Sequence, residues 1–327
     1  MGSAVGRYFS VVSFIPSLFL TGFTFLLVAS GAWSGSGGPD WAKAGNAFTH
    51  IGNLALLTLI SIALGIAVHP IQFALIQFFE GYWGTGRLAQ LVRAARILHH
   101  YRKFESLQYG PGAEAEIALH DAAKSGDTLE QKVRIEFLSK WDEGVRLAGG
   151  YPVDDDDIMA TRLGNVLRRY ERLAGSQYGL DAVKVIRHVA LVAPPQRVDY
   201  LNDQRQLLDL SVRMCATSIL ATLMAISALW RHGPWLLIAL VPYAIAYISY
   251  RGALIVAHEY GAAISTIIDL DRFAFYDQLR MPLPKSTRAE RQTNAQLMKL
   301  LSHNSRVVMS YEHPPVTDGT DKGQKAP

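Results

Sequence analysis

Residues 51–79 read IGNLALLTLISIALGIAVHPIQFALIQFF, 29 residues without Asp, Glu, Lys or Arg. A helix needs roughly 20 apolar residues to cross about 30 Å of hydrocarbon, so this run exceeds a straight crossing. Three further windows are long enough. Tyr8–Ser30 is uncharged, Leu207–Trp230 carries Asp209 and Arg213 near its start, and Trp235–Ala257 carries Arg251 close to its end. The four windows pair into two hairpins, one joined by residues 31–50 and the other by Arg231-His232-Gly233-Pro234. Composition agrees with a membrane protein. Half of the 327 residues are hydrophobic, 18% are charged where a soluble domain carries about 25%, and the mean hydropathy is +0.12. A single cysteine, Cys215, in an apolar run excludes a disulfide-built secreted module.

The expected fold is therefore all-α: two transmembrane hairpins flanking a mainly helical cytoplasmic insert, the second hairpin extended into a stalk. The organisation reads as a tail over 1–7, a first hairpin over 8–79, the insert over 80–206 and a second hairpin over 207–257. A stalk helix over 258–284 and a polar, partly disordered tail over 285–327 complete it.

Charge sets orientation. Of 32 Lys and Arg, the hairpin loops hold only Lys43 and Arg231. Lys- and Arg-rich segments stay on the cytoplasmic side, so both termini and the insert are expected there, in a plasma (inner) membrane. Ala29-Ser30-Gly31-Ala32 offers small residues for signal-peptide cleavage, but the preceding apolar stretch exceeds the usual 7–15 residues of a signal core.

In the insert, Leu88, Leu91, Val92, Ala95, Leu98 and Tyr101 recur at helical spacing with arginines between them, which predicts an amphipathic helix. Tyr109-Gly110-Pro111-Gly112 and Gly149-Gly150-Tyr151-Pro152 are breakers. Ala113–Ala123 and Ile158–Ala174 read as helices, while Thr128–Leu138 fits a helix or a short strand. No breaker separates Gln196 from Trp230, and only glycines interrupt Ala244–Met281. Two helices of about 35 residues would reach roughly 50 Å, forming an antiparallel stalk.

The most informative polar groups lie in the inner half of the second span: His69, Gln72, Gln77 and Glu80, with Pro70 as a kink. On a helix His69, Gln72 and Glu80 share one broad face. Polar groups in hydrocarbon usually face protein or water. These four are candidate liners of a hydrated vestibule, with interhelical hydrogen bonding as the alternative. Ser61 with Gly65, and Ala63 with Ala67, have the small-xxx-small spacing that permits close helix contact within the chain or between subunits. Asp154–Asp157 lack the alternating pattern of a calcium loop and read as a helix N-terminal cap. Arg87, Arg93, Arg96, Arg102 and Lys103 follow the second span directly. There, attraction to anionic lipid accounts for them without nucleic acid.

No P-loop, HExxH, GxSxG, GxGxxG or paired-cysteine metal site is present, so no enzymatic activity, cofactor or metal is expected. Thr161-Arg162-Leu163-Gly164-Asn165-Val166-Leu167, Tyr178-Gly179-Leu180-Asp181-Ala182 and Asp269-Leu270-Asp271-Arg272-Phe273 resemble segments of a group of uncharacterised bacterial multi-pass membrane proteins. The resemblance covers roughly residues 160–285 and implies no activity. The overall plan is also similar to bestrophin-type anion channels, in architecture alone, since their pore-neck residues find no counterpart here. Two functions follow as expectations. One is an oligomeric pore or channel-like effector gated by the insert, answering to a cytoplasmic protein or small molecule; the other is a membrane-anchored scaffold or sensor without transport.

Overall fold

Apolar residues at every helical position leave a chain only one way to satisfy its backbone in lipid, by bonding each amide within the helix. The computed structural model describes residues 9–34, 38–108, 147–303 and 306–312, and among these there is no strand. A π-helical turn, Phe9–Phe14, leads into α1 (Ile15–Ala29). Then follow α2 (Trp41–Thr49), α3 (Ile51–Val68), a 3-10 turn at His69–Ile71, α4 (Gln72–Glu80) and α5 (Arg87–Gln108). After the breaker come α6 (Arg162–Leu173), α7 (Ala182–Val192), α8 (Pro195–Leu229), α9 (Leu240–Gln278) and α10 (Thr287–Leu301). Among the described residues four stretches are long and apolar enough to cross a membrane: Val12–Ala29, Ile51–Glu80, Pro195–Leu229 and Gly233–Gln278. The two long uninterrupted helices expected before Trp230 and before Pro282 are single helices of 35 and 39 residues. The readings for 109–146 and for 317–327 lie outside the described residues.

By its internal contacts the chain forms two units, 1–170 with 199–263, and 171–198 with 264–327. In the first unit, α1 and α3 run antiparallel. Thr21 and Ser61 hydroxyls bond at 2.5 Å, and the Ser13 carbonyl lies 3.3 Å from where a Cβ on Gly65 would stand. The small pair Ser61–Gly65 is thus used within the chain, while Ala63 and Ala67 are exposed. Leu208 and Val212 of α8 join Ala253, Leu254 and Ala257 of α9 and Leu163, Val166 and Leu167 of α6 in one core. At the other end of α8, Leu27, Ala32, Ala225, Ala228, Leu229 and Ala239 make a second core. The loops after α1 and α8 meet there, through Trp41 on Trp235 (5.5 Å) and the His232 ring against the Ala32 carbonyl (3.0 Å).

The capping reading of the four aspartates fails on geometry. Asp155–Asp157 form their own 3-10 turn, and α6 begins only at Arg162, where the Thr161 hydroxyl accepts the Gly164 amide at 3.0 Å. Residues 158–161 are instead held out of the helix by Asn165. Its amide oxygen accepts from Met159 N–H at 2.7 Å, and its amide nitrogen donates to the Met159 and Thr161 carbonyls. Gly164 is required for close approach, because a Cβ there would fall 2.1 Å from the Glu80 carbonyl oxygen.

In the second unit, α10 is fastened to the end of α9 by a buried polar network. Arg272 pairs with Glu290 at 2.9 Å, Tyr276 donates to the same carboxylate at 3.1 Å, and Asn294 donates to the Tyr276 hydroxyl (2.7 Å) and the Tyr178 carbonyl (2.9 Å). The Arg272 guanidinium also stacks 3.9 Å above the Tyr178 ring.

Candidate functional site

An arginine in an apolar helix has two cheap positions, snorkelling to the headgroups or turned inward onto acceptors. Arg213 takes the second. It is 1% exposed and among the largest fully buried side chains of the protein. Its Nε–H donates to Gln72 Oε1 at 2.5 Å and its Nη1–H to Ser13 Oγ at 2.6 Å. The amide of Gln72 in turn donates to the Asp209 carbonyl at 3.3 Å. Asp209, one turn before Arg213 on α8, is itself 2% exposed. Two side chains, Ser13 from the first span and Gln72 from the second, therefore converge on the one guanidinium that the third span supplies. The sixteen residues from Arg213 to Leu229 place this cluster about 24 Å along α8 from the end that carries Trp230.

Chemically the cluster is a fixed positive centre in a low-dielectric surrounding. Arginine holds its proton at any accessible pH, so the guanidinium binds and orients its acceptors. Hydrogen bonds to charged groups are stronger than neutral ones, so the cluster ties the first three spans together at one depth.

The four sequence-predicted liners do not share one environment. Leu57, Ser61, Gly65 and Gln72 are the buried positions of the second span. At about 100° per residue they form one stripe, and His69 and Glu80 fall roughly 60–80° to one side of it, with Gln77 further round. Gln72 accordingly points into the bundle, His69 is exposed, and Gln77 and Glu80 are half-buried. Pro70 is exposed within the 3-10 turn that separates α3 from α4. Beyond Glu80 the span ends against α6, where the Thr161 hydroxyl donates to the Phe79 carbonyl at 2.7 Å.

The basic residues divide likewise. Arg87, Arg96, Arg102 and Lys103 are exposed on α5, while Arg93 is half-buried with its guanidinium 5.8 Å from the Tyr82 ring centre. The inward face of α5 packs Phe104 and Ile97 against Tyr151 and Ile158. On that face His100 is 4% exposed, and its Nδ1 lies 3.0 Å from the Tyr151 hydroxyl. Burial, together with the Arg96 charge, lowers its pKa to about 4, so it stays neutral at physiological pH.

Reading the sequence missed Arg213 as the centre of the site. The signal was present, since two opposite charges one turn apart in an otherwise apolar span mark a buried polar site. Nothing about Ser13 announced its part. Among the described residues no three of His, Cys, Asp and Glu converge as metal ligands. The motif residues quoted for the resemblance hold structure: Thr161 and Asn165 shape the entry to α6, Gln177 donates to Asp269 at 2.9 Å, and Arg197 pairs with Asp271. No family model, curated protein or solved structure matches this chain.

Proposed function

We propose that the protein is an oligomeric multi-pass membrane protein of the plasma (inner) membrane, with both termini cytoplasmic, acting as a pore or channel-like effector whose path runs between subunits. In this reading two transmembrane hairpins flank a cytoplasmic insert, which gates the path in answer to a protein or small-molecule trigger. One observation carries it. The second span is the least buried of the four, with 17% of its apolar window covered against 44% for the third, and it presents His69 outward at a break in the helix. Of the four spans it leaves the most surface for a second copy to pack against. The likeness to uncharacterised bacterial membrane proteins is compatible with this and adds no activity.

A second reading, a membrane-anchored scaffold or sensor, is favoured by the inward closure of Gln72 onto Arg213. Oligomeric state in mild detergent separates the two, because four spans of one chain are too few to enclose an ion path easily. A stable oligomer that passes ions in planar bilayers, with flux altered by His69→Leu, supports the pore. A monomer that stays silent supports the scaffold. For orientation, single cysteines at Asn46 and Ser302 in a Cys215→Ser background should differ. An impermeant thiol reagent is expected to reach position 46 in intact cells, and labelling at 302 would reject the topology.

A further inference from the structure

α5 has two apolar faces, and among the described residues only one of them is covered. Ile97, His100 and Phe104 turn inward onto Tyr151 and Ile158. On the opposite face Leu88 is 80%, Leu91 67% and Leu98 49% exposed, with Ala95 exposed between them. At about 100° per residue these four fall within one stripe, bordered by Arg87 on one side and by Arg96 and Lys103 on the other, and closed one turn beyond Leu98 by exposed Arg102. Two contacts tie the helix to the neighbourhood of the second span's end. Arg93 contacts the Tyr82 ring near its start. Phe104, eleven residues on, packs on Ile158, two residues before Ala160, whose Cβ would stand 3.0 Å from a Cβ added at Gly81. The left-handed backbone of Gly81 (φ +103°) and Gly84 (φ +88°) turns the chain sharply between span and helix, a conformation open to glycine at little cost.

We infer that α5 lies in the plane of the inner membrane surface, with Leu88, Leu91, Ala95 and Leu98 set into the headgroup–acyl boundary of an anionic lipid layer. The inference rests on the membrane reading above. An apolar stripe edged by arginine and lysine is the composition of an in-plane interfacial helix, the stripe entering the lipid and the basic side chains reaching anionic headgroups. Its direct continuity with a span leaves it no distance to travel to that surface. The helix would anchor the start of the insert, so that lipid charge acts on the segment that follows.

The test uses the full-length protein in vesicles of phosphatidylcholine with and without phosphatidylglycerol. A fluorophore is attached at single cysteines replacing Leu91 or Leu98 in the Cys215→Ser background. Leu223→Cys, exposed on α8, and Asp154→Cys, exposed beyond the breaker, are the lipid and water references. Labels at 91 and 98 are expected to be quenched by lipid carrying a nitroxide near the headgroup and spared by aqueous iodide. Quenching should increase with phosphatidylglycerol and lose that increase when Arg96→Gln and Lys103→Gln are combined. Iodide quenching at 91 and 98 would overturn the inference. Shielding from both quenchers would also overturn it, since protein would then cover the face. Equal lipid quenching with and without phosphatidylglycerol would overturn the anionic preference. If the label at 223 also escaped the lipid quencher, the membrane reading itself would fail.

Discussion

Ile51–Glu80 is the more apolar of the two best-contrasted spans, with mean hydropathy 2.3 against 1.7 for Pro195–Leu229, yet 17% of its window is buried against 44%. In water the order would be reversed, because apolar area drives burial there. In lipid the tails are as apolar as leucine, so hydrophobicity gives helices no reason to associate. Close packing of small residues and hydrogen bonds do that work. α8 buries Cys215, Ser218, Ala221, Ala225 and Ala228 while Ile219, Leu220, Leu223 and Ile226 stay exposed. α9 buries Ala246, Ala253 and Ala257 and leaves Tyr243, Tyr247 and Ile248 outside. The less apolar helix is the inner one.

This contrast breaks most readily at Arg213. Arg213→Leu removes the donor shared by Gln72 and Ser13 and the positive charge one turn from buried Asp209. Losing one member of a buried charged cluster costs about 3–5 kcal/mol. Expression and detergent-solubilised thermal stability should both fall, with partial recovery on adding Asp209→Asn. Unchanged stability of Arg213→Leu would mean that the polar cluster does not hold the third span inside.

Gln72→Leu tests the same cluster from the second span. It leaves a buried guanidinium short of one acceptor, at a cost of about 1–3 kcal/mol. A variant as stable as the parent, with altered ion flux, would return Gln72 to the pore wall.

A smaller effect is expected from pH at α5. His100 titrates near 4 when folded and near 6.5 when unfolded, so the unfolded chain takes up the proton first as pH falls. Its contribution is fully present above about pH 6.5 and is lost between there and 4. At pH 5 the loss is on the order of 1 kcal/mol after allowing for solvent screening. Thermal melts at pH 7 and 5 should differ more for the parent than for His100→Gln. Equal differences would sink the assignment.

The smallest change in fold stability belongs to the outward face of the second span. Ala63→Leu, at an exposed position, should alter the stability of the single chain by less than about 0.5 kcal/mol. If copies pack there, the same substitution should shift the oligomer in detergent. A large loss of monomer stability would show that the face is covered within the chain.

Reading one dimension located all four spans, because length and the absence of charge suffice where the solvent is hydrocarbon. It also located Pro70, where α3 gives way to a 3-10 turn. It grouped His69, Gln72 and Glu80 on one broad face, which is true of an ideal helix. It left open which edge of that face meets a neighbour. That edge depends on where Gly65 and Ser61 admit α1, and on Arg213 arriving from 141 residues away. Likewise Asp154–Asp157 looked like a cap until Asn165 took the preceding backbone.

What the sequence determines by itself is the helical class, the number and place of apolar spans and the asymmetry of positive charge. These follow from local composition and the energy of moving each residue into lipid. Which face of each span turns inward was decided only by the tertiary structure. Where every span is apolar enough for lipid, selection falls to a few small and polar side chains, and their partners lie far off in the chain.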